Sequence, residues 1–206
     1  MKTMIAVPCM DMMPVPFVES LLYLNKGDED RCVFSSSSLI YDSRNQLLEK
    51  AINYGFDRIL WLDSDMAFPS RAMELLHHDL DAGCEIVSAL YFKRRAPFSP
   101  VVYRKCFLKE EDGAKIPTAE CYEDYPEGSL FEVEAFGFGC VMMTVEAGIK
   151  IRDQLGIFPF MPVGGFGEDM SFCMRARHVG IKLWCDSRLA LGHVGYKTFG
   201  ADDFRG

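Results

Sequence analysis

No apolar run in this sequence approaches the roughly 18–20 residues that a membrane helix needs, so no transmembrane segment is expected. An excess of positive charge is missing as well. The chain carries 22 Lys and Arg against 30 Asp and Glu, a net charge of −8. That balance argues against a nucleic acid held through its phosphates and against a polybasic membrane anchor. A secretory leader is not visible, because one lysine near Met1 is followed by no long apolar region. A glycine-rich phosphate loop is also lacking. GGFG at residues 164–167 has neither a Lys-Ser/Thr ending nor the glycine spacing of a dinucleotide fold, so any bound phosphate must be held by metal and basic side chains. Finally, none of the eight cysteines forms a Cys-x-x-Cys pair, and Cys173, His178 and Cys185 match no familiar zinc spacing. Buried free thiols in a reducing cytoplasm are the expectation.

What the chain does contain is enough for one globular domain spanning residues 1–206, with 49% hydrophobic and 25% charged residues. Its first half alternates regularly. Strands are predicted at residues 3–9, 32–34, 58–62 and 85–92. Helices are predicted between them at 17–24, at 44–54 behind a Ser43 cap, and at 71–83 behind Ser70. Alternation of this kind predicts an α/β protein with a mostly parallel sheet flanked by helices. Ligands of such sheets bind outside the carboxyl ends of the strands. Asp11, the serine run after Phe34, Asp63 and Asp65, and the basic cluster Lys93, Arg94, Arg95 all follow strand ends and should gather on one edge.

After Arg95 the pattern changes, dividing the domain into two halves, residues 1–95 and 96–206. A strand is expected at 97–103, a charged mobile loop at 109–128 and a long β run at 131–145 interrupted by Gly137 and Gly139. A helix at 147–155, an aromatic loop at 158–167, a helix opened by Glu168 and Asp169, and a last strand at 182–191 complete this smaller, β-containing region.

The stretch RILWLDSDMAFPSRAMELL (58–76) poses a physical problem. Four apolar residues lead into Asp63 and Asp65, two apart and so on one face of an extended chain, with no basic residue between them and Arg71. Like charges so placed repel, and burying either unpaired is costly. A divalent cation with a preference for hard oxygen ligands, Mn²⁺ or Mg²⁺, would remove the repulsion and bring an anionic substrate such as a diphosphate to an acidic protein. Set against this is the ordinary role of aspartates as strand terminators. Glu168 and Asp169 have a bland counterpart too, acid enrichment at a helix N-terminus. Being adjacent on a helix, they point about 100° apart, so one can take a proton while the other braces. His193, between two glycines at a strand exit, could reach a metal. Gly137 and Gly139 suggest close approach of a ligand or a bulge.

The segments MIAVPC, SRNQLLEKAINYGFDRILWLDSDMAFP, AFGFGCVMMTVEA and GFGEDMSFCMRARHVGIKLWCDSRLALGHVG span nearly the whole chain. In this order they resemble the GT-A-type glycosyltransferases, most closely the family 2-like members of bacteria and phages. The resemblance implies a nucleotide-sugar donor and transfer of its sugar to the hydroxyl of a carbohydrate or other acceptor. It implies that Asp65 binds the divalent metal, Asp63 the ribose or the same metal shell, and that His193 completes the metal site. Arg44 would contact the donor nucleotide, Pro8 would lie in the segment sheltering the base, and Ser64, Gly137 and Gly139 would belong to the donor site. Asp169 would be the catalytic base, with Glu168 beside it. A single displacement of this kind inverts the anomeric centre. Where many relatives place an acid after the second strand to read uracil, this chain has VFSSSS. UDP and GDP are therefore both expected as donor nucleotides, UDP first. Residues 105–128 and 158–166 are expected to shape the acceptor site. The competing readings are a non-catalytic nucleotide- or sugar-binding protein on the same fold, a haloacid dehalogenase-type phosphatase, and a nucleotidyltransferase.

Overall fold

The computed structural model describes residues 1–195. Strand β1 (Thr3–Pro8) is buried at every position and leads through two prolines into α1 (Val15–Tyr23). Next come β2 (Arg31–Ser35), α2 (Ile40–Asn53), β3 (Arg58–Leu62), the short β4 (Met66–Ala67), α3 (Ala72–Asp81) and β5 (Ile86–Leu90). The second half holds β6 (Val102–Glu111), β7 (Ala114–Cys121), β8 (Leu130–Val133), β9 (Ala135–Phe136) and β10 (Cys140–Thr144). It continues through α4 (Val145–Leu155), α5 (Glu168–His178), β11 (Leu183–Ala190) and β12 (Gly192–His193).

Seven strands form the central sheet in the order β2-β1-β3-β10-β5-β11-β8. β2, β1 and β3 run parallel, as do β5 and β11, whereas β10 is antiparallel to both β3 and β5, and β8 is antiparallel to β11. The sheet is thus mostly parallel, and its strands are nearly continuous apolar runs because helices cover both faces. Alternate residues serve two cores. Met4, Ala6, Ile59, Trp61, Val141 and Met143 face α2, α4 and α5. Ile5, Val7, Leu60, Leu62 and Met142 face α1 and α3. Each fully buried Leu or Phe contributes ~1.5–3 kcal/mol relative to exposure, so both layers hold the sheet. Among the described residues no helix is long and apolar enough to cross a membrane.

Several expectations need correction. Helix α2 starts at Ile40, ahead of Ser43, because the Ser37 hydroxyl already holds the preceding turn. It accepts the Leu39 amide at 3.2 Å and donates to Asp42 at 3.3 Å, which leaves Ser43 an interior buried residue. Helix α3 has no side-chain cap from Ser70 and begins at Ala72 after Arg71. The strand expected at 97–103 begins only at Val102, and most of the segment 109–128, expected as a mobile loop, lies in a hairpin with β6 and β7 antiparallel and joined by Asp112 and Gly113. Both central residues have positive φ (50° and 76°), as the tight two-residue hairpin turn requires. The cysteines are all free, but only Cys84, Cys140, Cys173 and Cys185 are buried, and Cys32 is exposed.

Parallel strands deliver their carboxyl ends to one edge. β10 enters from that same edge because it runs the other way. The sheet therefore places Pro8, the serine run, Asp63 and the turn 137–139 side by side.

Candidate functional site

Asp63 is the first residue past β3. Its amide donates to the Gly139 carbonyl at 2.9 Å and its carbonyl accepts the Met66 amide at 3.2 Å, so Ser64 and Asp65 form the corner of a tight turn. The pairing of β4 with β12 brings His193 opposite Met66, and the Val194 amide donates to the Asp65 carbonyl at 2.7 Å.

Each aspartate has its own arginine, supplied from elsewhere in the chain. Arg44 shares the apolar face of α2 with Leu47, Leu48 and Ala51, which is why a guanidinium is carried into the core. Its side chain is 2% exposed, and its Nη2 donates to Asp63 Oδ1 at 2.8 Å. Its Nε lies 3.5 Å from Glu168 Oε1, an ion pair not aligned as a hydrogen bond. The guanidinium rests on Phe138, 5.0 Å from the ring centre, above an aromatic cluster in which Phe160 and Phe172 stack at 4.5 Å. Nε and Nη1 are buried without a protein hydrogen-bond partner. Buried donors left in this state are costly; the Arg44 residue itself lines, with Pro8, Ser37, Asp63, Asp65 and Glu168, a cavity of about 260 Å³. Burial raises the Asp63 carboxyl above the ordinary carboxylate range, the Arg44 guanidinium opposes that rise, and Asp65 adds to it. Asp63 and Arg44 are thus bound to one another electrostatically.

Asp65 Oδ2 lies 2.8 Å from Arg94 Nη1 and 3.4 Å from His193 Nε2. His193 Nδ1 is 2.8 Å from the Phe92 carbonyl, which can only accept, so that nitrogen carries the proton. In the neutral ring Nε2 then presents a lone pair to the carboxylate, the tautomer a metal-binding imidazole adopts. Two lone-pair donors facing each other fit a divalent cation. Among the described residues no group of three His, Cys, Asp or Glu side chains gathers, so most of the coordination shell would have to come from water and substrate oxygens. That is the usual arrangement for Mg²⁺-type sites on diphosphates.

The acidic pair at the start of α5 divides. Glu168 lines the cavity and faces Arg44, whereas Asp169 has no ion-pair partner among the described residues. Burial, reinforced by Glu168, pushes the Asp169 carboxyl up to about 6, although its Oδ1 accepts the Met170 amide at 2.7 Å.

Gly137 and Gly139 are both buried, and the group that approaches them closely is the Tyr91 side chain. A Cβ at Gly139 would lie 2.8 Å from the Tyr91 ring, and the Gly139 amide donates to Tyr91 Oη at 3.2 Å. The Tyr91 ring also meets His193 edge-on, with centroids 5.4 Å apart. Tyr91, which links the β10 entry to His193, carried no sequence signal beyond following a buried strand. The hairpin β6–β7 and the aromatic loop meet at Pro117, whose ring is so near Gly165 that a Cβ there would lie 2.8 Å away.

No protein-family model matches the chain. No curated protein matches it either. Solved structures do. Over 95% of this chain and 87% of its own, A197 from STIV superposes with a TM-score of 0.65 at 17% identity. GalNAc-T7, crystallised with UDP, GalNAc and Mn²⁺, gives 0.60 at 8% identity over 94% of this chain. S. aureus TarS 1–349 gives 0.57 at 12% identity over 93%. The chain spans only 44% of that GalNAc-T7 chain and 59% of the TarS chain. At these identities the likeness establishes the fold, which is GT-A-like.

Proposed function

We propose that this chain is a glycosyltransferase, related to the family 2-like members, that moves a sugar from a UDP- or GDP-sugar to an acceptor hydroxyl with inversion. The observation that carries the reading is the convergence of Arg44, Asp63, Asp65, Glu168 and His193 from four separate segments on one sheet edge, with Asp169 beside Glu168. Solved neighbours of this fold include an enzyme crystallised with UDP and Mn²⁺, which agrees with that assignment.

In this reading Pro8 and the serine run border the space for the nucleoside. Arg44, which lines the cavity, offers its positive charge to anionic oxygens of the donor, while its bond to Asp63 fixes the guanidinium plane. Ser64 adds its backbone and hydroxyl at the same corner. Gly137 and Gly139 act through their backbone, giving Tyr91 room and Asp63 its carbonyl partner. Asp65 and His193, with Asp63, would hold Mn²⁺ or Mg²⁺, which when bound supplies Lewis-acid neutralisation of charge on the leaving diphosphate.

Glu168 is braced by Arg44, which leaves Asp169 free to serve as base. The acceptor oxygen attacks the anomeric carbon, its proton passes to the Asp169 carboxylate, and the bond from that carbon to the diphosphate oxygen breaks with the electron pair leaving on the diphosphate. A carboxyl poised near 6 is ionised at neutral pH yet basic enough to accept that proton. The junction of the β6–β7 hairpin with the loop around Gly165 forms the acceptor side. The whole chain works as one domain, with residues 1–95 serving the nucleotide and 96–206 the acceptor. Free thiols throughout the described chain suit a reducing cytoplasm.

Calorimetric titration with UDP and GDP, with and without Mn²⁺, tests the reading. Metal-dependent binding of one nucleotide that disappears in Asp65→Ala supports it. Absence of binding under every condition removes it. Asp169→Asn is expected to abolish transfer while nucleotide affinity persists, and parallel loss of both would remove Asp169 as base.

A further inference from the structure

Arg94 is a charged group at the site with no role in the reading above. It follows β5 in a loop whose backbone is pinned by the Lys93 amide on the Ser99 carbonyl (3.0 Å) and the Phe98 amide on the Arg95 carbonyl (2.8 Å). Its side chain is 47% exposed and reaches back to place Nη1 2.8 Å from Asp65 Oδ2 and 3.2 Å from the Val194 carbonyl. The stem passes against Gly195, where a Cβ would lie 3.3 Å from Arg94 Cδ. Arg94 also lines a second cavity of about 770 Å³, together with Phe92, Lys93, Phe98, Leu191 and His193.

The oxygen that Arg94 holds is the one facing His193 Nε2. A divalent cation lodged between Asp65 and His193 as they stand would meet that same oxygen, beside a guanidinium of like sign. At such separations the repulsion is large, and the ion pair it replaces is a half-exposed one of modest strength. The loop backbone is fixed but the long side chain is free to turn, so displacement leaves the guanidinium beside the same site. A diphosphate arriving there presents the planar oxygen pairs that arginine binds in two-pronged fashion.

We infer that Arg94 is a two-position residue: it neutralises Asp65 in the empty site, is displaced by the divalent cation, and then clamps the diphosphate of the donor. The inference rests on the nucleotide-sugar reading. It assigns Arg94 a positioning role that holds the Asp65 carboxylate in place before loading and a diphosphate-binding role afterwards.

The two positions predict effects of opposite sign. In Arg94→Ala, Mn²⁺ alone should bind about 3–10-fold tighter, because neither an ion pair nor a like charge opposes it. UDP in saturating Mn²⁺ should bind at least about tenfold more weakly, because a charge-assisted contact to the diphosphate is gone. Mn²⁺ affinity can be read by electron paramagnetic resonance of the free ion, and UDP affinity by calorimetry. Arg94→Lys keeps the charge without the fork and should fall between wild type and Arg94→Ala in both measurements. Arg95→Ala removes the same unit charge from the next residue and should leave both constants within about twofold. Opposite shifts in Arg94→Ala with Arg95→Ala near wild type support the inference. Shifts of the same sign, no shift, or equal effects from Arg95→Ala overturn it while the nucleotide site stands. Wild-type UDP binding that needs no Mn²⁺ and vanishes in Arg94→Ala also overturns it, since Arg94 would then replace the cation. A wild-type chain that binds neither Mn²⁺ nor UDP overturns the inference together with the reading it rests on.

Discussion

Replacing Asp169 with asparagine should make the protein more stable as well as inactive, and the size of the gain follows from where the carboxyl sits. Burial beside Glu168 pushes it up to about 6 from an ordinary 3.8. Between about pH 4 and 6 the folded chain therefore holds a proton that the unfolded chain has released, so wild-type stability falls as pH rises through that window. A shift of about two units corresponds to ~3 kcal/mol as a ceiling. Asparagine keeps an oxygen for the Met170 amide, now 2.7 Å from Asp169 Oδ1, but forfeits attraction to Arg44, so the net gain at pH 7.5 is ~1–3 kcal/mol. For a chain of this size that is roughly 3–9 °C in melting temperature. Urea unfolding of both proteins at pH 4.5, 6 and 7.5 measures it. The stability difference should grow with pH and level off above about 7. A difference that is flat across the series, or largest at pH 4.5, would refute the account of this carboxyl.

The same titration bears on turnover: kcat/KM should fall about tenfold per pH unit below an apparent pKa near 6, and a flat profile down to pH 5 would count against Asp169 as base. Arg44→Met leaves Asp63, itself 32% exposed, without its partner and should cost about 1–3 kcal/mol in chemical unfolding; no measurable loss would show that Asp63 needs no partner. Gly137→Ala drives a methyl into Tyr91 Oη and Val101 and should destabilise by about 2–3 kcal/mol, read as a lowered urea midpoint. Tyr91→Phe leaves the buried Gly139 amide without its acceptor and should cost about 1–2 kcal/mol.

The parts of the fold legible in the sequence are those written in local pattern. The alternation in residues 3–92 reads as strand and helix because β1, β3 and β5 are apolar on both faces and the helices carry apolar stripes. The β6–β7 hairpin escaped that reading because its strands lie mostly in solvent, carry lysine and glutamate, and include Pro117. Asp112-Gly113 was the available signal, a dipeptide suited to a two-residue turn. The antiparallel insertion of β10 between β3 and β5 is a property of long-range pairing, for which no residue in CVMMT codes. At the site, the like-charge problem of Asp63 and Asp65 was visible. Arg44 and the cluster holding Arg94 were placed at this edge, but which aspartate each would pair with was not visible, because both come from other segments. The glycines at 137 and 139 announced a close approach, but sequence alone could not say that a tyrosine makes it.

The β4–β12 ladder couples assembly of this site to the folding of nearly the entire chain. Met66 and His193 are paired across most of the sequence, and Asp65 meets its imidazole only when that seam closes. Contacts of such separation form late, since the intervening chain must be ordered before they are gained. A nascent chain that has already made β3 still lacks the histidine that faces Asp65. Any ligand gripping both sides of the seam ties early-formed to late-formed backbone, so its binding energy resists unfolding of the whole sheet rather than of one loop. Resistance to proteolysis should therefore report occupancy of this site even when the cut falls far from it.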